Sequence, residues 1–144
     1  MSRKRYFLRF AFLILAGSML ALLSACSGGE PQIALETTSL DLGDVPNGEI
    51  ATRDVVVRND GDAVLVVEGI STSCGCTTAT LEPMQLAPGE SGALHIAYDA
   101  GAHGPELTGA LVRQVFIQSN DPAQPEVTVE LAVNVTPPLQ ARSN

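Results

Sequence analysis

The run EVTVELAVNV, residues 126–135, repeats every two residues: Val127, Val129, Leu131, Val133 and Val135 alternate with Thr128, Glu130, Ala132 and Asn134. Neighbouring side chains of an extended backbone point to opposite faces, so the run describes a strand with one apolar and one solvated side. SGALHIAYDA, residues 91–100, obeys the same rule and directs Leu94, Ile96 and Tyr98 inward and His95 outward. Residues 53–58, 64–70 and 111–119 read as further strands, and Asn59-Asp60-Gly61-Asp62 between the first two has the Asp-Gly step that suits a tight hairpin turn. Pro46-Asn47-Gly48, Pro88-Gly89 and Asn120-Asp121-Pro122 punctuate the β-rich runs, and no segment sustains a helical period. A one-faced sheet must bury its apolar side against another layer. The chain is therefore expected to be all-β, an immunoglobulin-like antiparallel β-sandwich of about seven or eight strands.

The first 25 residues follow a different logic. Arg3, Lys4, Arg5 and Arg9 precede an uncharged apolar run from Phe10 to Leu23, and small residues lead into Cys26, which is the layout of an export signal. A membrane-spanning helix is the competing reading, but the uncharged run falls short of the roughly 20 residues that a bilayer requires. Leu23-Ser24-Ala25-Cys26 resembles the lipobox of bacterial lipoproteins. That resemblance implies cleavage before Cys26, lipidation of its sulfur and retention on the outer side of a cell membrane or envelope, with several acyl chains giving a stable anchor.

The remaining boundaries follow from composition. Residues 26–32, with Gly28, Gly29 and Pro31, read as the lipidated cysteine and a flexible tether; residues 33–136 form one domain; and Pro137-Pro138 stops strand pairing ahead of a tail over residues 137–144. Loss of the leader removes four of the eight basic residues and none of the sixteen acids, which leaves a net charge of −12. Neutralising nucleic-acid phosphates takes clustered Lys and Arg, so a nucleic-acid partner is not expected, nor is electrostatic docking on anionic lipid. Solubility alone explains the acidity.

The segment STSCGCTTA, residues 71–79, carries the chain's remaining chemistry. With Cys26 lipidated, Cys74 and Cys76 are the free thiol inventory, an even number in an exported chain. On a straight strand their Cα atoms would lie about 6.6 Å apart, near the upper limit of roughly 6.8 Å for a disulfide. A bend at Gly75 shortens that span, and the flanking Ser and Thr residues suit a strand end. Closing so short a loop stabilises a fold by less than roughly 2 kcal/mol, so the pair is a poor staple. Three readings stay open: a local structural disulfide, an accessible thiol redox pair, and a soft-metal site using Cys74 and Cys76 with Met84 or His103 as supplementary ligands. Glu68 and Glu82, if close, would disfavour a thiolate.

Other constellations fail. Gly89-Glu90-Ser91-Gly92-Ala93 ends in Ala where a nucleophile elbow needs Gly, and Asp60-Gly61-Asp62 has Val64 where a calcium loop needs another oxygen. No catalytic residues and no cofactor are expected.

In order along the chain, LDLGDVPNGEIATRDVVVRNDGDAVLVV, STSCGCTTA, LAPGESGALHIAYDA and IQSNDPAQPEVTVELAVNV cover Leu40 to Val135. Together they resemble the bacterial domain-of-unknown-function family fifteen-seventy-three. The resemblance implies an immunoglobulin-like fold of the Hydin and abnormal-spindle group and implies no settled activity. A non-enzymatic module is therefore expected, one that binds a protein partner through sheet faces, loops or an edge strand. Thiol redox or copper handling through the Cys-Gly-Cys motif is the alternative.

Overall fold

The computed structural model describes residues 28–139; the leader, Cys26 and residues 140–144 lie outside the described residues. Nine strands follow one another: β1 (Ile33–Leu35), β2 (Ser39–Pro46), β3 (Ile50–Asn59), β4 (Leu65–Thr72), β5 (Thr77–Glu82), β6 (Gln85–Leu86), β7 (Ser91–Asp99), β8 (Gly109–Ser119) and β9 (Glu126–Thr136). They form a four-stranded sheet in the order β1-β3-β7-β5 and a five-stranded sheet in the order β2-β9-β8-β4-β6. The fold is an immunoglobulin-like sandwich, and its strands exceed the seven or eight expected because β1 and β6 are only three and two residues long.

The alternating sequence is what packs the two layers. Leu94, Ile96 and Tyr98 of β7 and Val129, Leu131, Val133 and Val135 of β9 are all buried, while His95, Glu130 and Asn134 are exposed. Val55 and Val57 of β3, Leu65 and Val67 of β4, and Val115 and Ile117 of β8 complete the middle of the core. Each such side chain, fully buried, contributes on the order of 1.5–3 kcal/mol.

Three details differ from the expectation. Strands β2 and β9 pair in parallel, Leu40 beside Leu131 and Val45 beside Val135. The chain between them spans most of the domain, so no tight turn constrains their direction. A bulge between Asp41 and Asp44 interrupts the pairing; there Gly43 takes a φ of 70° and its N–H donates to Asp41 Oδ1 at 2.8 Å.

Secondly, Asn59-Asp60-Gly61-Asp62 is not a hairpin. It carries the chain from β3 in one sheet to β4 in the other. The fully buried Asn59 organises this crossing: its Oδ1 accepts from the N–H of Gly61 at 3.0 Å and Gln32 at 3.3 Å, and its Nδ2 donates to the carbonyls of Ala63 at 2.7 Å and Leu86 at 2.9 Å. A side chain at Gly61 would collide with the Glu30 carbonyl, so glycine is required for the close approach.

Thirdly, the tether is fastened from Glu30 onward. The Glu30 carbonyl accepts from Asp62 N–H at 3.0 Å and the Gln32 carbonyl from Asp60 N–H at 2.8 Å. The proximal pole is this end of the sandwich, where the chain joins the domain beside the 59–62 crossing and the 120–125 turn. Strands β3, β5 and β7 span the distance to the distal pole, where Ile50 lies opposite Asp99 and Thr77 opposite Tyr98. Ten residues of β3 separate the poles by roughly 30 Å.

Candidate functional site

At the distal pole the chain crosses from β4 to β5 through Ser73-Cys74-Gly75-Cys76. The crossing is held at both ends. Ser73 exchanges two hydrogen bonds of 2.9 Å with Gln114 of β8, donating its N–H to the Gln114 carbonyl and accepting the Gln114 N–H at Oγ. Thr72 Oγ1 donates at 3.0 Å to the Cys74 carbonyl and lies 3.1 Å from that of Thr77, and the Cys76 carbonyl accepts from Asp99 N–H at 2.8 Å. These bonds bend the backbone at Gly75, which brings the Cys74 and Cys76 Cα atoms to 5.3 Å, well inside the range for a disulfide. The two sulfurs are bonded to each other.

The pair is asymmetric. Cys76 is buried in the core, whereas Cys74 is half-buried and is the more exposed residue of the two. Thr77 Oγ1 lies 3.7 Å from Cys74 Sγ and 3.8 Å from Cys76 Sγ. Arg113 donates from Nε to Cys76 Sγ at 3.3 Å. Glu82 ends β5 at the proximal pole and Glu68 lies midway along β4, whereas Arg113 contacts the pair directly.

Arg113 is the residue that sequence reading missed. It is 37 positions from Cys76, and the β4–β8 register, Thr72 beside Val115, brings it there. A signal was present: Leu111, Arg113, Val115 and Ile117 share the inward parity of β8, and an arginine on an apolar face requires a partner.

The supplementary ligands separate. His103, exposed in the loop after β7, joins Cys74 and Cys76 in a group whose ligand atoms all lie within 4.8 Å of one another. Met84 does not. It follows β5 at the proximal end, where its carbonyl accepts from Val67 N–H at 2.9 Å. His95 points outward from the four-stranded sheet and bonds Asp54 through Nδ1 at 2.7 Å. Near this pole lies the Tyr98 hydroxyl, the one buried side-chain oxygen or nitrogen without a hydrogen-bond partner among the described residues. Burial pushes the Tyr98 phenol above its ordinary range, with Arg113 pulling it down and Asp99 adding to the rise.

Known structures share the sandwich. A protein of unknown function from Porphyromonas gingivalis W83 is 24% identical with a TM-score of 0.63, over 72% of this chain and 46% of that one. The chain thus spans less than half the length of that relative. The ASH/PapD-like domain 7 of human CEP192 is 10% identical with a TM-score of 0.54, over 78% of this chain and 89% of that one. The VesB protease of Vibrio cholerae is 15% identical with a TM-score of 0.54, over 72% of this chain and 31% of the protease. At these identities the likeness is one of fold. No curated protein matches this chain. Residues 33–135, from the first residue of β1 to the penultimate residue of β9, match the family described as protein of unknown function (DUF1573), and the chain belongs to that family.

Proposed function

We propose that the protein is a lipid-anchored, extracytoplasmic binding or structural module without catalytic turnover, standing on the outer side of a cell membrane with its distal pole outward. The polarity of the fold carries this reading. The chain is hydrogen-bonded to the proximal pole from Glu30, so a lipid on Cys26 would hold that pole within a few residues of the bilayer. The leader and Leu23-Ser24-Ala25-Cys26 supply the anchor.

The sandwich leaves particular surfaces open to a protein partner. Edge strand β2 carries a bulge and ends in Pro46, features that discourage strand addition. Edge strand β5 has neither, and beside it the outer face of the four-stranded sheet presents Thr52, Thr78, Thr80 and Ala97 around the His95–Asp54 pair. This face and edge are the proposed partner surface.

Tritiated palmitate fed to a bacterium expressing the full chain should label the wild type and leave Cys26→Ser unlabelled. An unlabelled wild-type chain would remove the anchor from the reading. In a deletion strain, folded and lipidated Thr78→Lys/Thr80→Lys should fail to restore the wild-type phenotype while Cys74→Ser/Cys76→Ser restores it; the reverse pattern would shift the function to the cysteines.

One observation favours a second reading, thiol–disulfide exchange at the distal pole. An incoming thiolate would bond to Cys74 Sγ, and Cys76 would leave with the electron pair of the broken bond as a thiolate beside Arg113 Nε. The second thiol of a dithiol substrate would then displace Cys74. A disulfide whose reduced form is stabilised is the stronger oxidant, so Arg113→Gln should lower the midpoint potential by roughly 30 mV. Equilibration against glutathione measures it, and an unchanged potential would remove Arg113 from this chemistry.

A further inference from the structure

We propose that, once the Cys74–Cys76 bond is reduced, Cys74 Sγ, Cys76 Sγ and a ring nitrogen of His103 bind one Cu(I) ion in a three-coordinate site at the distal pole. This inference is independent of the anchor and of the partner surface. It rests on the one place among the described residues where three such ligands converge.

The distances are close to those required. Nitrogen and sulfur ligands at about 2.0–2.3 Å from a shared ion in a trigonal plane lie roughly 3.5–4 Å from one another. The present ligand atoms lie within 4.8 Å of one another, so His103 needs a shift of about an ångström or less while the two sulfurs part. Gly75 leaves room for that opening, since a Cβ there would meet nothing within 4 Å. The loop bearing His103 is held in place. Asn47 Nδ2 donates to the carbonyls of Gly104 at 2.9 Å and Leu107 at 3.0 Å, fixing the backbone on the C-terminal side of His103.

Charge and softness select the ion. Two thiolates and a neutral imidazole suit a soft monovalent cation, and the site would carry one net negative charge, which Arg113 beside Cys76 offsets. A divalent zinc ion would leave this cluster net positive with Arg113 present. Zinc also favours four ligands, and the cluster supplies three.

Formation of the site balances simply. A dithiol reductant gives two electrons and two protons to the Cys74–Cys76 bond and becomes a disulfide itself. Cu(I) then displaces the thiol protons, and copper does not change oxidation state. The oxidised pair has no thiolate to offer.

The test uses the full chain in detergent, phosphine-reduced and free of oxygen, competing for Cu(I) against the chromophoric chelator bicinchoninate. One equivalent of copper should pass to the wild type and to Met84→Leu, and none to the oxidised protein or to Cys74→Ser/Cys76→Ser. His103→Ala alters an exposed side chain and should keep the fold; it should bind at least about tenfold more weakly. X-ray absorption on the loaded protein should show two sulfur ligands and one nitrogen. No copper transfer to the reduced wild type would overturn the proposal. So would unchanged affinity in His103→Ala with sulfur-only coordination, or displacement of Cu(I) by equimolar Zn²⁺.

Discussion

Asn59→Asp is expected to destabilise the domain by about 4 kcal/mol, measured as the shift in urea unfolding of the full chain at pH 7. The substitution changes one nitrogen to oxygen. In the native protein that nitrogen, Nδ2, donates to the carbonyls of Ala63 and Leu86, and the side chain is fully buried. A carboxylate there would set oxygen against oxygen twice, at a position buried from solvent. The deficit should shrink as the pH falls, because a protonated carboxyl can return one of the two donors. Asn120→Asp is the matched control: its amide also bridges backbone groups, accepting from Val66 N–H and donating to the Val64 carbonyl, but it is exposed. Its loss should stay within about 1 kcal/mol. Equal losses in the two variants would mean that the buried crossing from β3 to β4 does not depend on Asn59.

The second large effect is expected at Asp121. Its side chain is 1% exposed, yet it is a carboxylate with no cationic partner among the described residues. Backbone N–H groups take that role: Oδ2 accepts from Ile33 at 2.9 Å, and Oδ1 accepts from Ala123 at 2.8 Å and Gln124 at 3.1 Å. Asp121→Ala leaves these donors unpaired and should cost about 3–5 kcal/mol. It should also free the start of β1, since Ile33 is the first strand residue and Asp121 ties it to the β8–β9 turn. Asp121→Asn preserves the shape but points an amide donor at a backbone donor, and should cost about 1–3 kcal/mol.

The pH dependence of Asp121 follows from the same contacts. Burial pushes its carboxyl up, but the N–H groups of Ile33, Ala123 and Gln124 pull it further down, leaving it below the ordinary carboxylate value. A depressed folded-state value means that the unfolded chain takes up the proton first as the pH falls. The stabilisation is fully present above the unfolded value of about 4 and is lost as the pH drops through the lower folded value. Acid unfolding of Asp121→Asn should accordingly be less steep below about pH 4 than that of the wild type.

The parts of the fold legible in the sequence are those governed by period-two alternation. Leu94, Ile96 and Tyr98 are buried and His95 is exposed because each position follows from its neighbour's parity. Parity gives a face but not a partner strand. Asn59-Asp60-Gly61-Asp62 has hairpin chemistry locally, yet it joins different sheets, because the tether backbone and the buried Asn59 amide satisfy the crossing. That amide's partner Leu86 is 27 residues away and no local rule connects them.

The candidate site divides in the same way. Cys74 and Cys76 are close in sequence, and the bend at Gly75 is a local property. Their surroundings depend on register: Arg113 arrives through β8 and His103 through the loop after β7, while Met84, nearer in sequence to Cys76 than either, is carried off by β5 to the other pole. Arg113 shares the inward parity of β8, a signal that sequence reading missed. Only the strand order supplied its neighbour.

The proposed orientation on a membrane is the part of the functional reading most open to direct test. The decisive measurement is energy transfer from a fluorophore on the lipidated full chain to an acceptor on the headgroups of the vesicles that carry it. One label is placed in the exposed proximal turn by Ala123→Cys, the other in the exposed distal loop by Glu106→Cys. With the poles roughly 30 Å apart, transfer from the Ala123 position should greatly exceed transfer from the Glu106 position. Equal transfer, or stronger transfer from Glu106, would contradict a domain that stands on its proximal pole and presents the Cys-Gly-Cys crossing outward.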